Sequence, residues 1–258
     1  MEQKPLVTCL GCIDLTSLNT TDTNAKIELM AKKVNEFPHF FPDLPNVAAI
    51  CVYPSFTGIL RQTLTAMDVR IAVTGGGFPA SQTYVQIKTE ECRMAVDEGA
   101  DEVDIVLSLN YFLSGLYEKA MEEVGAVKKA IGRAHLKVIL ETGALPDAEA
   151  IARASRIAME GGADFIKTST GKSDPAATPE AAMVMCREIW AYYQKTGKKV
   201  GFKPAGGIVT VDDALTYYAI VERVLGAGWL TPKLFRIGAS RLANNLLSAV
   251  TGATVNYF

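Results

Sequence analysis

The chain has 258 residues, enough for one large α/β domain or two small ones, and its 49% hydrophobic and 21% charged residues suit a globular protein with ample core. Net charge is −2, from 26 basic and 28 acidic residues scattered along the chain, which argues against nucleic-acid or membrane-surface partners. Residues 1–5 lack the basic-then-apolar order of a signal peptide, no apolar run reaches membrane-spanning length, and five cysteines, an odd number, suggest free thiols in a cytoplasmic setting.

Apolar, β-branched segments recur at 7–12, 47–53, 70–74, 102–106, 137–141, 165–168, 200–204 and 235–237, with amphipathic stretches between them. Eight strands alternating with helices predict a parallel sheet that closes into a (β/α)8 TIM barrel, a single α/β domain over 1–250 followed by a mobile tail at 251–258. Cys9 and Cys12 form a C-x-x-C on the first expected strand. Positions three apart there face opposite ways and no second Cys or His pair completes a zinc site, so both read as buried core thiols. Residues 37–45 read as the connection into the second strand. Cys51, at that strand's end, reads either as a mouth residue or as a buried thiol. Gly75-Gly-Gly77 matches neither a Walker A loop nor a dinucleotide fingerprint, and reads as a flexible loop.

Val85, Cys92, Ala95 and Val96 give the next helix its core face. The segments 98–104 and 161–167 repeat one design, a helix-ending glycine and a short turn into a strand, and they place Asp104 where the second copy has Lys167. Thr178-Pro179-Glu180 reads as a helix start, and Thr210 with Asp213 as a capping box. His39 and His135 are too few and too separate for a metal centre, so neither metal nor cofactor is expected.

Inward-facing positions at the C-terminal strand ends build the mouth of such a barrel. If Lys167 faces in, so do Phe165, Gly201 and Lys203, Glu102 and Asp104, and Lys137, Ile139 and Glu141. Two unit charges about 5 Å apart at an effective dielectric near 20 repel by roughly 3 kcal/mol, about 2 pK units. Burial pushes the same way, while Asp104 and Glu141 pull back if they lie close. One of the two lysines is then partly neutral and nucleophilic, and periodicity leaves open which. Rim lysines paired with carboxylates are the bland alternative. Loops 168–172, 205–207 and 238–240 carry the glycines that hold a phosphate beyond neighbouring strands.

Taken together, Gly-Ala-Asp-Glu-Val-Asp104, Lys-Val-Ile-Leu-Glu-Thr-Gly143, Ala-Asp-Phe-Ile-Lys-Thr-Ser-Thr-Gly-Lys172, Gly-Phe-Lys-Pro-Ala-Gly-Gly207 and Arg-Ile-Gly-Ala-Ser240 closely resemble the 2-deoxyribose-5-phosphate aldolase family. The likeness runs from Asp14-Leu-Thr16 to about Leu247. It implies a class I aldolase that reversibly joins acetaldehyde to glyceraldehyde 3-phosphate, without a cofactor and often as a homodimer. The resemblance gives Lys167 the imine, Lys203 the lowering of its pKa, and Asp104 proton transfer through an ordered water, with Lys137 in support. Asp14, Thr16, Cys51 and Thr170 resemble pocket residues, and Gly171, Lys172, Gly206, Gly207, Gly238 and Ser240 match the phosphate site. The chain departs from the family at Arg241, where a second serine is common, and at Val209, where close relatives often have arginine. Some relatives end in a tyrosine that reaches the site; Tyr257 is penultimate here, with a disordered tail as the alternative. A non-covalent isomerase using Asp104 and a lysine, and a catalytically silent barrel binding a phosphorylated metabolite, are the competing readings.

Overall fold

The computed structural model describes residues 3–258. In chain order its elements are α1 (Gln3–Gly11), β1 (Ile13–Thr16), α2 (Asn24–Phe40), β2 (Ala49–Val52), α3 (Thr57–Thr63), β3 (Arg70–Thr74), α4 (Val85–Asp97), β4 (Glu102–Val106), α5 (Leu109–Leu113), α6 (Tyr117–Ile131), β5 (His135–Ile139), α7 (Ala148–Glu160), β6 (Phe165–Lys167), α8 (Pro179–Thr196), β7 (Gly201–Lys203), α9 (Val211–Leu225), β8 (Ile237–Ala239) and α10 (Leu242–Thr251). The strands are all parallel and lie in the order β7-β6-β5-β4-β3-β2-β1-β8. Bridges from Phe202 to Phe235 and from Ala205 to Gly238 join the two ends, giving the (β/α)8 barrel. No helix among the described residues is long and apolar enough to cross a membrane.

The segment 7–12, expected as the first strand, is instead part of α1. Its buried residues, Leu6, Cys9 and Leu10, recur at helical spacing, and the helix packs against α9 and α10. The first strand follows it and carries Asp14 and Thr16. Cys9 and Cys12 are both buried free thiols, although Cys9 lies on a helix and not on a strand. The last strand also sits two residues later than expected, because Phe235 and Arg236 serve the closure onto β7. Strand β5 ends at Ile139, so Glu141 lies beyond it with left-handed backbone.

Local signals explain much of the rest. Thr178 Oγ1 accepts the Ala181 N–H with Pro179 in the first helical turn, and Thr210 and Asp213 form the reciprocal capping box. On α4 the buried residues are Lys88, Cys92 and Ala95, with Val85 and Val96 half-buried. The repeated turns share one hydrogen-bonding plan. Asp101 Oδ2 accepts the Ile71 N–H at 2.9 Å, and Asp164 Oδ2 accepts the Leu136 N–H at 2.8 Å, each aspartate tying its strand to the one before.

The main apolar core lies between strands and helices, drawing on residues such as Ile50, Val73, Val103, Val138 and Ile166. Inside the barrel the composition reverses. Ala49, Cys51 and Ala72 form a small apolar patch, and around it Asp14, Glu102, Asp104, Lys137, Lys167, Lys203 and Arg236 are all at most 3% exposed. An interior this charged is costly unless every charge is matched.

Candidate active site

Strand register brings the charges together. Lys167 stands opposite Lys203 and Ile139, and Asp104 opposite Lys137 and Thr74. Two glycines make room for this. A Cβ at Gly201 would lie 2.2 Å from the Phe165 ring, and one at Gly238 would lie 2.8 Å from Ala205 Cβ and 3.2 Å from Lys203 Cε. The inward Phe165 ring in turn faces Arg236 and Lys137, at 5.7 and 6.0 Å from its centroid.

Asp104 is the hub. Its Oδ2 accepts from Lys167 Nζ at 2.9 Å and from Lys203 Nζ at 2.7 Å, and its Oδ1 accepts from Lys137 Nζ at 3.0 Å. Lys203 also approaches Asp14 Oδ2 at 2.5 Å, a close ion pair off the hydrogen-bonding direction. Lys137 pairs with Glu102 Oε2 at 2.5 Å. Arg236 closes the lower side, bridging Asp14 Oδ1 at 2.6 Å and both Glu102 oxygens at 2.7 and 3.0 Å.

Counting charges separates the two lysines. Three carboxylates (Asp14, Glu102, Asp104) balance three cations (Lys137, Lys203, Arg236) without Lys167. Lys203 touches two of those carboxylates and Lys167 only one. Burial alone would lower the pKa of every lysine here, but Asp104 and Asp14 outweigh it at Lys203, and Asp104 with Glu102 at Lys137, so both are held charged. At Lys167 burial wins: aided by the Lys203 charge and only partly opposed by Asp104, it leaves this lysine below the ordinary range. Asp104 is buried too, yet Lys137, Lys167 and Lys203 hold it well below the usual carboxylate range. Burial, rather than lysine–lysine repulsion alone, is thus the leading cause at Lys167.

Lys167 also reaches the cavity at the mouth formed by the glycine loops. That cavity, about 270 Å³, is lined by Lys167 and Thr16 and by the three glycine loops through Thr170, Gly171, Lys172, Gly206, Gly207, Gly238 and Ser240. Gly171, Gly206 and Gly207 take φ of 74, 86 and 77°, so the backbone itself forms the wall. Asp104, Lys203, Lys137 and Asp14 are fully buried and do not line it; joined to Lys167 through Asp104, they form a charged floor behind it. Both departures, Val209 and Arg241, line the same cavity. Lys172 Nζ is held by the Leu18 carbonyl, bringing the loop after β1 into the wall with Asn19.

The family model described as DeoC/LacD family aldolase matches residues 8–241. The chain belongs to that family. A provisionally named deoxyribose-phosphate aldolase of Caenorhabditis elegans is 45% identical over 241 residues, covering 92% of this chain and 79% of the relative. The deoxyribose-phosphate aldolase of Homo sapiens is 40% identical over 252 residues, 93% of this chain and 79% of the relative. Among solved structures, a provisionally named deoxyribose-phosphate aldolase of Coccidioides immitis aligns with TM-score 0.79 at 26% identity, over 95% of this chain and 86% of that one.

Some expected residues of this aldolase stand apart from the cavity. Cys51 is wholly buried beside Ala49 and Ala72, and burial pushes its thiol pKa up. Glu141, expected to pull on the lysines, instead binds Thr170. Tyr257 is docked on α2: its hydroxyl donates to the Lys33 carbonyl at 2.6 Å, and its ring packs among Phe37, Phe40 and Phe41. Asn244 on α10 fastens the tail, its Oδ1 accepting the N–H groups of Tyr257 and Phe258, each at 2.9 Å. Deleting Tyr257 and Phe258 is expected to lower thermal stability while leaving proton exchange at the carbon donor unchanged. Lost exchange would return the tail to the reaction.

Arg236 was missed from sequence. Its signal was parity: with β8 extended back by one step, position 236 shares the inward face with Gly238. Leu18 and Asn19 carried no comparable signal, since a loop has no period. Among the described residues no group of His, Cys, Asp and Glu side chains is arranged to hold a metal ion.

Proposed function

We propose that this aldolase reversibly cleaves 2-deoxyribose 5-phosphate to glyceraldehyde 3-phosphate and acetaldehyde through a Schiff base at Lys167. The observation that carries the reading is that Lys167, buried and held below its ordinary pKa, also opens onto the glycine-walled cavity. The neutral amine adds to the sugar aldehyde to form a carbinolamine, and loss of water yields an iminium. The iminium draws electrons from the C2–C3 bond as the C3 hydroxyl gives up its proton. Glyceraldehyde 3-phosphate leaves, the enamine takes a proton at C2, and hydrolysis frees acetaldehyde and Lys167.

The floor suits these steps. Asp104 stays ionised, so it serves as an acceptor that passes protons on through water and does not hold one in store. Lys203, kept charged by two carboxylates, supplies a fixed positive field as the iminium forms and collapses. Lys172, Arg241 and the three glycine loops give the phosphate its cations and backbone donors.

Borohydride reduction in the presence of acetaldehyde tests the reading. The expected product is an N-ethyl lysine on the peptide containing Lys167, absent from a Lys167→Leu variant. An adduct on another lysine, or none with active protein, sinks the assignment, and a non-covalent isomerase would give none.

A further inference from the structure

Glu141 holds a conformation its sequence does not favour. Its φ and ψ are 51° and 59°, the left-handed region that a residue with a Cβ rarely enters, and the residue is only 6% exposed. The turn around it is locked against the loop after β6. Thr142 N–H donates to the Thr168 carbonyl at 2.9 Å, and a Cβ at Gly143 would fall 1.9 Å from the Pro175 carbonyl oxygen.

The carboxylate spends both oxygens on one residue. Oε1 accepts the Thr170 N–H at 3.0 Å and Oε2 accepts the Thr170 hydroxyl at 2.6 Å. Among the described residues no lysine, arginine or histidine forms an ion pair with it. A hydroxyl has one hydrogen, so Thr170 has none left for an anion in the cavity. Its Oγ1 instead accepts the Lys172 N–H at 3.0 Å. The chain of contacts therefore runs from Glu141 through Thr170 to Lys172, spanning Gly171 at φ 74°.

We infer that Glu141 is a positioning residue: through Thr170 it sets the loop after β6 so that Gly171 and Lys172 meet the phosphate end of the substrate. Thr170 is then a post for that loop and not itself a phosphate ligand. The inference rests on the reading of this cavity as a phosphate site, and it concerns affinity for the phosphate, not the amine chemistry at Lys167.

Inorganic phosphate is the probe, titrated calorimetrically into the whole protein, since this readout does not depend on turnover. Glu141→Gly removes the clamp without a left-handed penalty, and Thr170→Val removes the hydroxyl while keeping the shape. Each is expected to weaken phosphate binding about 10-fold, near 1.4 kcal/mol. The double variant is expected to be no weaker than Glu141→Gly alone, because both cut one chain of contacts. Thr170→Ser, which keeps the hydroxyl, is expected to restore binding. With deoxyribose 5-phosphate, Glu141→Gly raises KM by a similar factor and moves kcat little. Unchanged phosphate affinity, or losses that multiply in the double variant, overturns the inference. Should Glu141→Gly not fold, the Thr170→Val and Thr170→Ser pair decides alone. Weakened phosphate binding in protein that forms no Lys167 adduct would sustain the clamp and refute the aldolase mechanism.

Discussion

Replacing Lys203 by leucine is expected to move the pH–rate profile upward and to cut the rate near pH 7 by about 100-fold. With Lys203 present, Asp14, Glu102 and Asp104 are already balanced by Lys137, Lys203 and Arg236. Removing it leaves a surplus of negative charge, and Lys167 becomes the third cation. The two amino groups share one oxygen of Asp104 at 2.9 and 2.7 Å, so the Lys203 charge close by has been suppressing that of Lys167. Losing that repulsion, about 3 kcal/mol for charges near 5 Å apart at an effective dielectric near 20, raises the Lys167 pKa. Below that pKa each unit leaves about tenfold less free amine. Rates measured across pH, with circular dichroism to confirm folding, check the result. A folded variant with an unshifted profile would show that Lys203 does not govern Lys167.

Replacing Asp104 by asparagine is expected to shift the same profile the other way. The substitution removes the carboxylate on which Lys137, Lys167 and Lys203 converge, leaving three cations against Asp14 and Glu102. Lys167 then loses its one opposing carboxylate and its pKa falls further. Adduct formation with acetaldehyde should persist to lower pH, while turnover drops by about 10² to 10⁴ if Asp104 is the proton acceptor proposed above. Opposite shifts in the two variants are the signature of one balanced cluster; shifts in the same direction would refute it.

The Asp104 variant also carries a stability cost. Breaking a buried ion network by removing one partner typically destabilises by about 3–5 kcal/mol. The folded-state pKa of Asp104 is depressed, so its contribution is fully present above the unfolded carboxylate value of about 3.9 and fades as pH falls through the folded value. Denaturation midpoints of the wild type and Asp104→Asn are therefore expected to differ most near neutrality and to converge in acid. A gap that stayed constant across acid pH would place the loss in packing and not in charge.

What could be read directly was whatever depends on near neighbours. The alternation of apolar runs and amphipathic stretches shows the barrel, since burying both faces of a parallel strand demands continuous hydrophobic segments. The caps at Thr178 and Thr210 are three-residue patterns, and the inward faces of Lys167, Lys203, Asp104 and Lys137 follow from a period of two. The segment 7–12 misled because a short apolar run fits a helix or a strand equally, and packing on α9 and α10 decides between them. Parity likewise failed at Glu141, where the strand ends two residues earlier and the chain turns left-handed toward Thr170.

The amino-acid sequence by itself determined a barrel with two lysines in one mouth and glycine loops beyond them. Only the tertiary structure decided which of the two is held below the ordinary lysine range. The decision belongs to partners far apart in the chain: Arg236 meets Asp14 across 222 positions and Asp104 meets Lys203 across 99. Protonation in a buried site depends on the sum of all charges within a few ångströms, and no local pattern records that sum. Closing the barrel brings those charges together, and the balance it strikes leaves Lys167 with a single carboxylate, Asp104, which it shares with Lys137 and Lys203.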